Sequence, residues 1–137
     1  AQISRGAFVS GMDAGTIYNT WPMMGSNFFP DDNNFFNLLS FSAFNDPSLV
    51  QFMHRNLAYV IILIYLFIFF NVSRAKIEKL YRSINLIGLF LIIQVRLGIF
   101  TLLYGAQIYL ASMHQISSIF LVSSCVYFLF LNKQSSS

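Results

Sequence analysis

The sequence predicts an all-α integral membrane protein, an antiparallel transmembrane helical bundle of three full spans preceded by a short helical stub. Three observations carry that reading. Of 137 residues, 56% are hydrophobic and only 9% are charged, against about 25% charged in ordinary soluble domains. The apolar residues gather into three runs, each near the roughly 20 residues that cross a bilayer. All but two of the charges, Arg55 and Arg96, fall outside the runs. This composition excludes a disordered chain, a nucleic-acid-binding domain and a typical soluble enzyme. The net charge of +3 is no nucleic-acid signal, because a few Lys and Arg on one side of a membrane give the same figure. The single cysteine, Cys125, cannot form an intrachain disulfide and offers no zinc motif.

Taken in order, residues 1–15 are apolar in patches but broken by Arg5, Gly6, Gly11 and Asp13. They are too interrupted to span and read as the end of a truncated helix. No charged n-region and cleavage site precede an apolar core, so no signal peptide is expected. Gly11 and Gly15 have the spacing of close helix packing. Residues 16–46 form a Phe-rich loop with Trp21-Pro22, Pro30 and the run Asp31 to Asn34 as turn signals. Aromatics at this density suggest a segment lying on the bilayer interface.

The first span, 47–72, opens on Asp46 as N-cap and Pro47 as first helical residue. Spans two and three are expected at 84–104 and 108–131. Between the first two lies a basic segment, 74–82, with Arg74, Lys76, Lys79 and Arg82, and the polar tail carries Lys133. The Phe-rich side holds Asp13, Asp31, Asp32 and Asp46 and no cation after Arg5. By the positive-inside rule the basic segment faces the cytoplasm or matrix and the Phe-rich loop faces outside. Spans one and three then run parallel, with span two returning between them.

The chain has two histidines, His54 and His114. One lies seven residues after Pro47 and the other six after Ile108, roughly 10 Å and 9 Å along their helices. Two parallel helices therefore carry an imidazole each at matched depth. A polar group in hydrocarbon is costly and is usually functional. The arrangement suits a metal held from both sides, for which a bis-His haem is the usual intramembrane case, although the pair alone does not identify the cofactor. The competing reading is a structural hydrogen bond between helices. On the helical faces beside the histidines lie Gln51, Ala58, Leu110, Ala111, Ser117 and Ser118, mostly small residues that would admit a porphyrin edge. Gln51, Ser117 or Ser118 is placed to bond the second ring nitrogen. Arg55 either pairs with propionates near the outer surface or snorkels to head groups. Arg96, well inside span two, needs protein, a cofactor or water beside it, and Asp13 or a further helix is a candidate partner.

Four strings then resemble one family in its own order: GAFVSGMDAGTIYNTWPMMG (6–25), VQFMHRNLAY (50–59), QVRLGIFTLLYG (94–105) and ASMHQISS (111–118). Together they resemble the haem A synthase family, around its fifth helix and following loop, then its sixth, seventh and eighth helices. The resemblance implies oxidation of a haem O methyl group to the formyl group of haem A, for cytochrome oxidase. It implies half of a pseudo-symmetric eight-helix protein, the haem-binding half, with most of its first helix missing. That half would hold haem b through His54 and His114, with Arg55 on a propionate and Gln51 beside the site. Where the family's first half has a glutamate one turn before its histidine, this chain has Gln51, so no catalytic residue is expected here. Arg96 stands where the family usually has a small or apolar residue.

The implied partners are a missing N-terminal half in cis or trans, haem O, haem O synthase, cytochrome oxidase assembly factors and the lipid bilayer, with no nucleic acid. The implied site is the bacterial cytoplasmic membrane or the mitochondrial inner membrane. Two alternatives stand beside this: a small bis-His membrane cytochrome b for electron transfer, and a cofactor-free membrane assembly subunit.

Overall fold

The computed structural model describes residues 2–135; Ala1, where the expected stub begins, and Ser136 and Ser137 of the tail lie outside the described residues. Four α-helices follow one another: α1 (Gln2–Gly11), α2 (Pro47–Ala75), α3 (Glu78–Leu103) and α4 (Ile108–Ser135). Among the described residues there is no strand, only an isolated bridge between Met24 and Asn27. Helices α2, α3 and α4 are each long and apolar enough to cross a membrane. The protein is thus an all-helical integral membrane bundle with a short N-terminal stub.

Helix α2 starts as its sequence dictates. The Asp46 carboxylate accepts the Leu49 backbone N–H at 3.0 Å, and Pro47, which has no N–H to leave orphaned, takes the first helical position. Its other end shows that hydropathy and helicity stop at different places. The helix continues through Arg74 to Ala75, breaks only at Lys76 (φ 51°) and Ile77, and resumes at Glu78. The basic segment is therefore mostly helical, for two reasons. Arg, Lys, Glu and Leu are good helix formers. In addition, Arg74 and Glu78 sit at the helix ends where their charges complement the macrodipole. Likewise α4 runs past its apolar stretch into Asn132, Lys133 and Gln134.

The α3–α4 turn is short, and a glycine makes it so. Gly105 adopts φ 66° and its N–H reaches the Leu102 carbonyl at 3.1 Å, while Ala106 N–H reaches Thr101 at 2.7 Å. This pair of bonds is the Schellman termination, which satisfies carbonyls the helix end would orphan. Gly15 packs beneath this turn, with a Cβ there 3.1 Å from the Ala106 methyl, whereas Gly11 has nothing close. The expected Gly-x-x-x-Gly helix contact is not made, because α1 ends at Gly11 and Gly15 lies in a separate 3₁₀ turn, Ala14–Thr16.

The apolar core sits at the basic end, where Val72, Leu80, Ile84, Ile87 and Phe128 are buried together, with Tyr65, Phe69 and the half-buried free Cys125 packed on them. Gly88 lets the Tyr65 ring of α2 lie directly against α3. At the opposite end polar Ser48 and Gln51 are buried beside Leu49 and Val50, and residues 12–46 close over them. Two 3₁₀ turns, Phe35–Leu39 and Phe41–Asn45, hold out Phe35, Phe36, Leu39 and Phe41. Ser40 and Asn34 cap them. Exposed rings at the loop end are what a segment resting on a bilayer interface presents.

Candidate functional site

His54 and His114 come from helices that begin at the same end, and the structure brings their rings together edge to face. Their ring centres are 6.5 Å apart, with ring planes inclined at 78°. Two imidazoles binding one metal from opposite sides, at about 2 Å per metal–nitrogen bond, put their ring centres roughly 6 Å apart. The matched depth read from the sequence is therefore a real proximity, at a spacing that fits a shared metal.

Each imidazole is held by a glutamine on the preceding helix. Gln2 of α1 donates its amide to the His54 backbone carbonyl at 3.2 Å and stands 3.4 Å from the ring Nε2. Gln94 of α3 does the same to His114, at 2.9 Å to the carbonyl and 3.5 Å to Nε2. One turn further along each helix is a glycine. A Cβ on Gly6 would lie 3.5 Å from His54 Cε1, and one on Gly98 would lie 3.0 Å from His114 Cε1. Ser117 adds to the second arrangement: its hydroxyl meets Gln94 Oε1 and, at 3.0 Å, the His114 carbonyl.

These contacts correct the expected ring partners. Gln51 is buried but donates to the Tyr18 carbonyl at 3.1 Å. Ser118 bonds the Gln115 carbonyl at 2.6 Å. Neither bond goes to an imidazole: the Gln51 amide is taken by the loop, and the short Ser118 side chain meets the backbone of its own helix first. The ring neighbours Gln2 and Gln94 were missed. A signal existed, since Gln-x-x-x-Gly-x-Phe occurs at 2–8 and again at 94–100, and Met-His at 53–54 and again at 113–114.

Arg55 is occupied by the loop. Its guanidinium donates to the carbonyls of Thr20 at 2.9 Å, Met23 at 3.2 Å and Tyr18 at 2.9 Å. Gln51 and Arg55 together thus pin residues 18–23 over the end of α2. The acids of the loop complete the staple. Burial of Asp32 alone would raise its pKa, but hydrogen bonds from Ser48, Tyr18 and Asn33 outweigh that and lower it. The Ser26 N–H, helped by the Asn27 amide, lowers Asp31. Burial, then the bond to Asp32, raises the Tyr18 hydroxyl, so it stays a donor. Phe28, Phe29, Phe52 and Tyr59 pack ring against ring beneath this lid.

Arg96 is exposed on α3 and meets neither Asp13 nor any other carboxylate among the described residues. The expected pairing with Asp13 is not made, since Asp13 is exposed beyond the end of α1. Several buried polar atoms of the site have no hydrogen-bond partner among the described residues: Gln2 Oε1, Gln51 Oε1, Arg55 Nε and His114 Nδ1. Such groups are rare in a finished interior and cluster where something else binds.

Fold and site define a class: a helical integral membrane protein that faces two imidazoles at one depth between co-directional spans. Residues 1–126 match the family model described as cytochrome oxidase assembly protein, and the chain belongs to that family. It is similar to haem A synthase of Pelagibacter ubique, 42% identical over 134 residues, covering 98% of this chain and 39% of the relative. It is similar also to haem A synthase of Rickettsia bellii, 41% identical over 134 residues, covering 98% and 40%. That of Flavobacterium johnsoniae is 37% identical over 129 residues, covering 92% and 38%. The chain thus spans about 40% of the length of the curated relatives it matches. No solved structure matches it.

Proposed function

We propose that this chain forms the cofactor half of a haem A synthase, with His54 and His114 as the two axial ligands of a haem b. In that reading the whole protein oxidises the methyl group of haem O to the formyl group of haem A for cytochrome oxidase. The observation that carries the reading is the 6.5 Å separation of the two imidazoles, in a chain whose relatives are haem A synthases. Haem b held there would supply one-electron relay.

The chain's own residues have separable tasks. His54 and His114 present ring nitrogens from α2 and α4. Gly6 and Gly98 leave room for the ring edges. The aromatic layer under the loop excludes water from that end. Arg55, with a buried Nε–H still to be used, serves a propionate carboxylate as well as the loop. Gln51, beside it, offers a free carbonyl oxygen but no acid or base chemistry. Glu78 opens α3 at its basic end, about 24 Å of helix from Gln94, so the residue that abstracts or delivers protons in the oxidation belongs outside this half. The basic helix ends face the cytoplasm or matrix and the Phe-rich loop faces outside.

The native full-length gene product, purified in detergent, is expected to show a low-spin bis-His haem spectrum and to turn over haem O. His54→Ala and His114→Ala are each expected to abolish the six-coordinate signature. An unchanged spectrum in both variants sinks the ligand assignment. A bis-His spectrum without haem O turnover favours a cytochrome b devoted to electron transfer, and no Soret band above background favours a cofactor-free assembly subunit.

A further inference from the structure

We propose that Gln2 and Gln94 are positioning residues that fix the orientation and tautomer of the two histidines; the proposal rests on the ligand assignment above. The arrangement occurs twice, on separate helix pairs. In each, the amide nitrogen donates to the backbone carbonyl of the histidine and faces its ring Nε2. A glutamine amide nitrogen has donors only. A ring nitrogen facing it must therefore be the acceptor, with the ring proton on Nδ1. That leaves Nε2 unprotonated, the state in which imidazole binds metal; a metal taking that lone pair would displace the amide from the ring and leave its bond to the histidine carbonyl in place.

The carbonyl bond is the anchor, being the shorter of the two in both halves. It fixes the amide relative to the histidine's own backbone, so the ring is confined between the amide and the glycine one turn on. In the α3–α4 half the amide itself cannot turn over freely, because Ser117 holds its oxygen. In the α1–α2 half the residue equivalent to Ser117, three after the histidine, is Leu57, and Gln2 Oε1 has no partner among the described residues. The Gln94 amide thus has a hydroxyl support that the Gln2 amide lacks at the matching position.

The test uses the full-length gene product with its native haem. Gln94→Met and Gln2→Met keep length and apolar fit but remove the donor, and Ser117→Ala removes only the support of Gln94. Partners of ligating histidines typically contribute about 10–100-fold in metal affinity. Haem transfer to excess apomyoglobin is therefore expected to speed roughly tenfold in Gln94→Met, and less in Ser117→Ala. The low-spin spectrum should persist in both, with a displaced electron-paramagnetic-resonance signature and reduction potential. Unchanged release rate, resonance signature and potential in both Met variants overturn the positioning role while leaving the ligand assignment intact. Absence of a bis-His spectrum from the wild type overturns both.

Discussion

In the α3–α4 half of the site, Gln94 lies deep inside a long helix, and residues 104–107 alone join that helix to the one carrying His114. In the α1–α2 half, Gln2 lies in the first turn of α1, and residues 12–46 separate it from the helix carrying His54. The two halves use the same parts, a glutamine, a glycine one turn on and a histidine across the interface. They differ in what holds those parts in place. The first is held by a glycine-terminated turn and a serine hydroxyl, both local. The second is held by a loop stapled through Arg55, Gln51 and the loop acids. A short connection costs little closure entropy, and a long one must be ordered by its own contacts. The same ligand geometry therefore rests on a stiff frame on one side and on a loop lid on the other.

The glycines offer the largest break in this symmetry. At Gly98 an added methyl would lie 3.0 Å from His114 Cε1, and at Gly6 it would lie 3.5 Å from His54 Cε1. The first is too close and the second is an ordinary contact. Gly98→Ala is expected to cost about 1–3 kcal/mol, as overpacking does, and to displace His114 enough to lose the six-coordinate spectrum in part of the population. Gly6→Ala should leave the spectrum unchanged and gain up to about 0.5–1 kcal/mol from helix propensity. Denaturant unfolding in detergent, read alongside the haem spectrum, checks both. Equal losses at the two positions would mean that the α1–α2 half is packed as tightly as the other.

Arg55 tests the lid. Arg55→Ala removes three bonds to loop carbonyls, one of them part-buried. The expected cost is about 1–3 kcal/mol, confined to the α1–α2 half. Limited proteolysis should cut within 17–46 far faster than in the wild type, while cleavage at the α3–α4 turn stays slow. Arg55→Lys should rescue little, because an ammonium cannot fork to several carbonyls. Protection of the loop in Arg55→Ala would show that Gln51 and Asp32 suffice to hold it.

How much of this was legible in the sequence follows from range. The three long helices, the Asp46–Pro47 start and the depth of the two histidines depend on local patterns, and a local pattern can be read. The helix ends at 75 and 78 were not, because apolar runs report where lipid ends and not where backbone hydrogen bonding ends. Gln2 and Gln94 were missed because their contacts cross between helices. A glutamine, at a helix end like Gln2 or inside a helix like Gln94, gives no sign of its partner until the facing histidine is known, and only the repeated Gln-x-x-x-Gly spacing betrayed them. Arg55 was read for its charge, whereas its visible partners are backbone carbonyls of a loop whose path no periodicity encodes.

The smallest effect expected is that of acid, and it should also be one-sided. Asp31 and Asp32 are both lowered by the hydrogen bonds they accept, so the folded loop favours their charged forms. A carboxylate whose pKa is lower in the folded state adds stability that is present above its unfolded value and is lost as pH falls through the folded one. The loop should therefore be indifferent to pH between neutral and about pH 5, and should loosen below about pH 4. In the α3–α4 half the contacts around His114 come from Gln94, Gly98 and Ser117, with no carboxylate among them, so this mechanism cannot act there. Trp21 fluorescence and proteolysis within 17–46 should report the acid transition, while the α3–α4 turn stays resistant through the same range. Asp32→Asn should weaken the wild-type transition and lower loop protection at neutral pH, because the amide accepts less strongly from Ser48 and Tyr18. A transition of equal size at both ends of the site would mean that acid acts through the histidines themselves rather than through the lid.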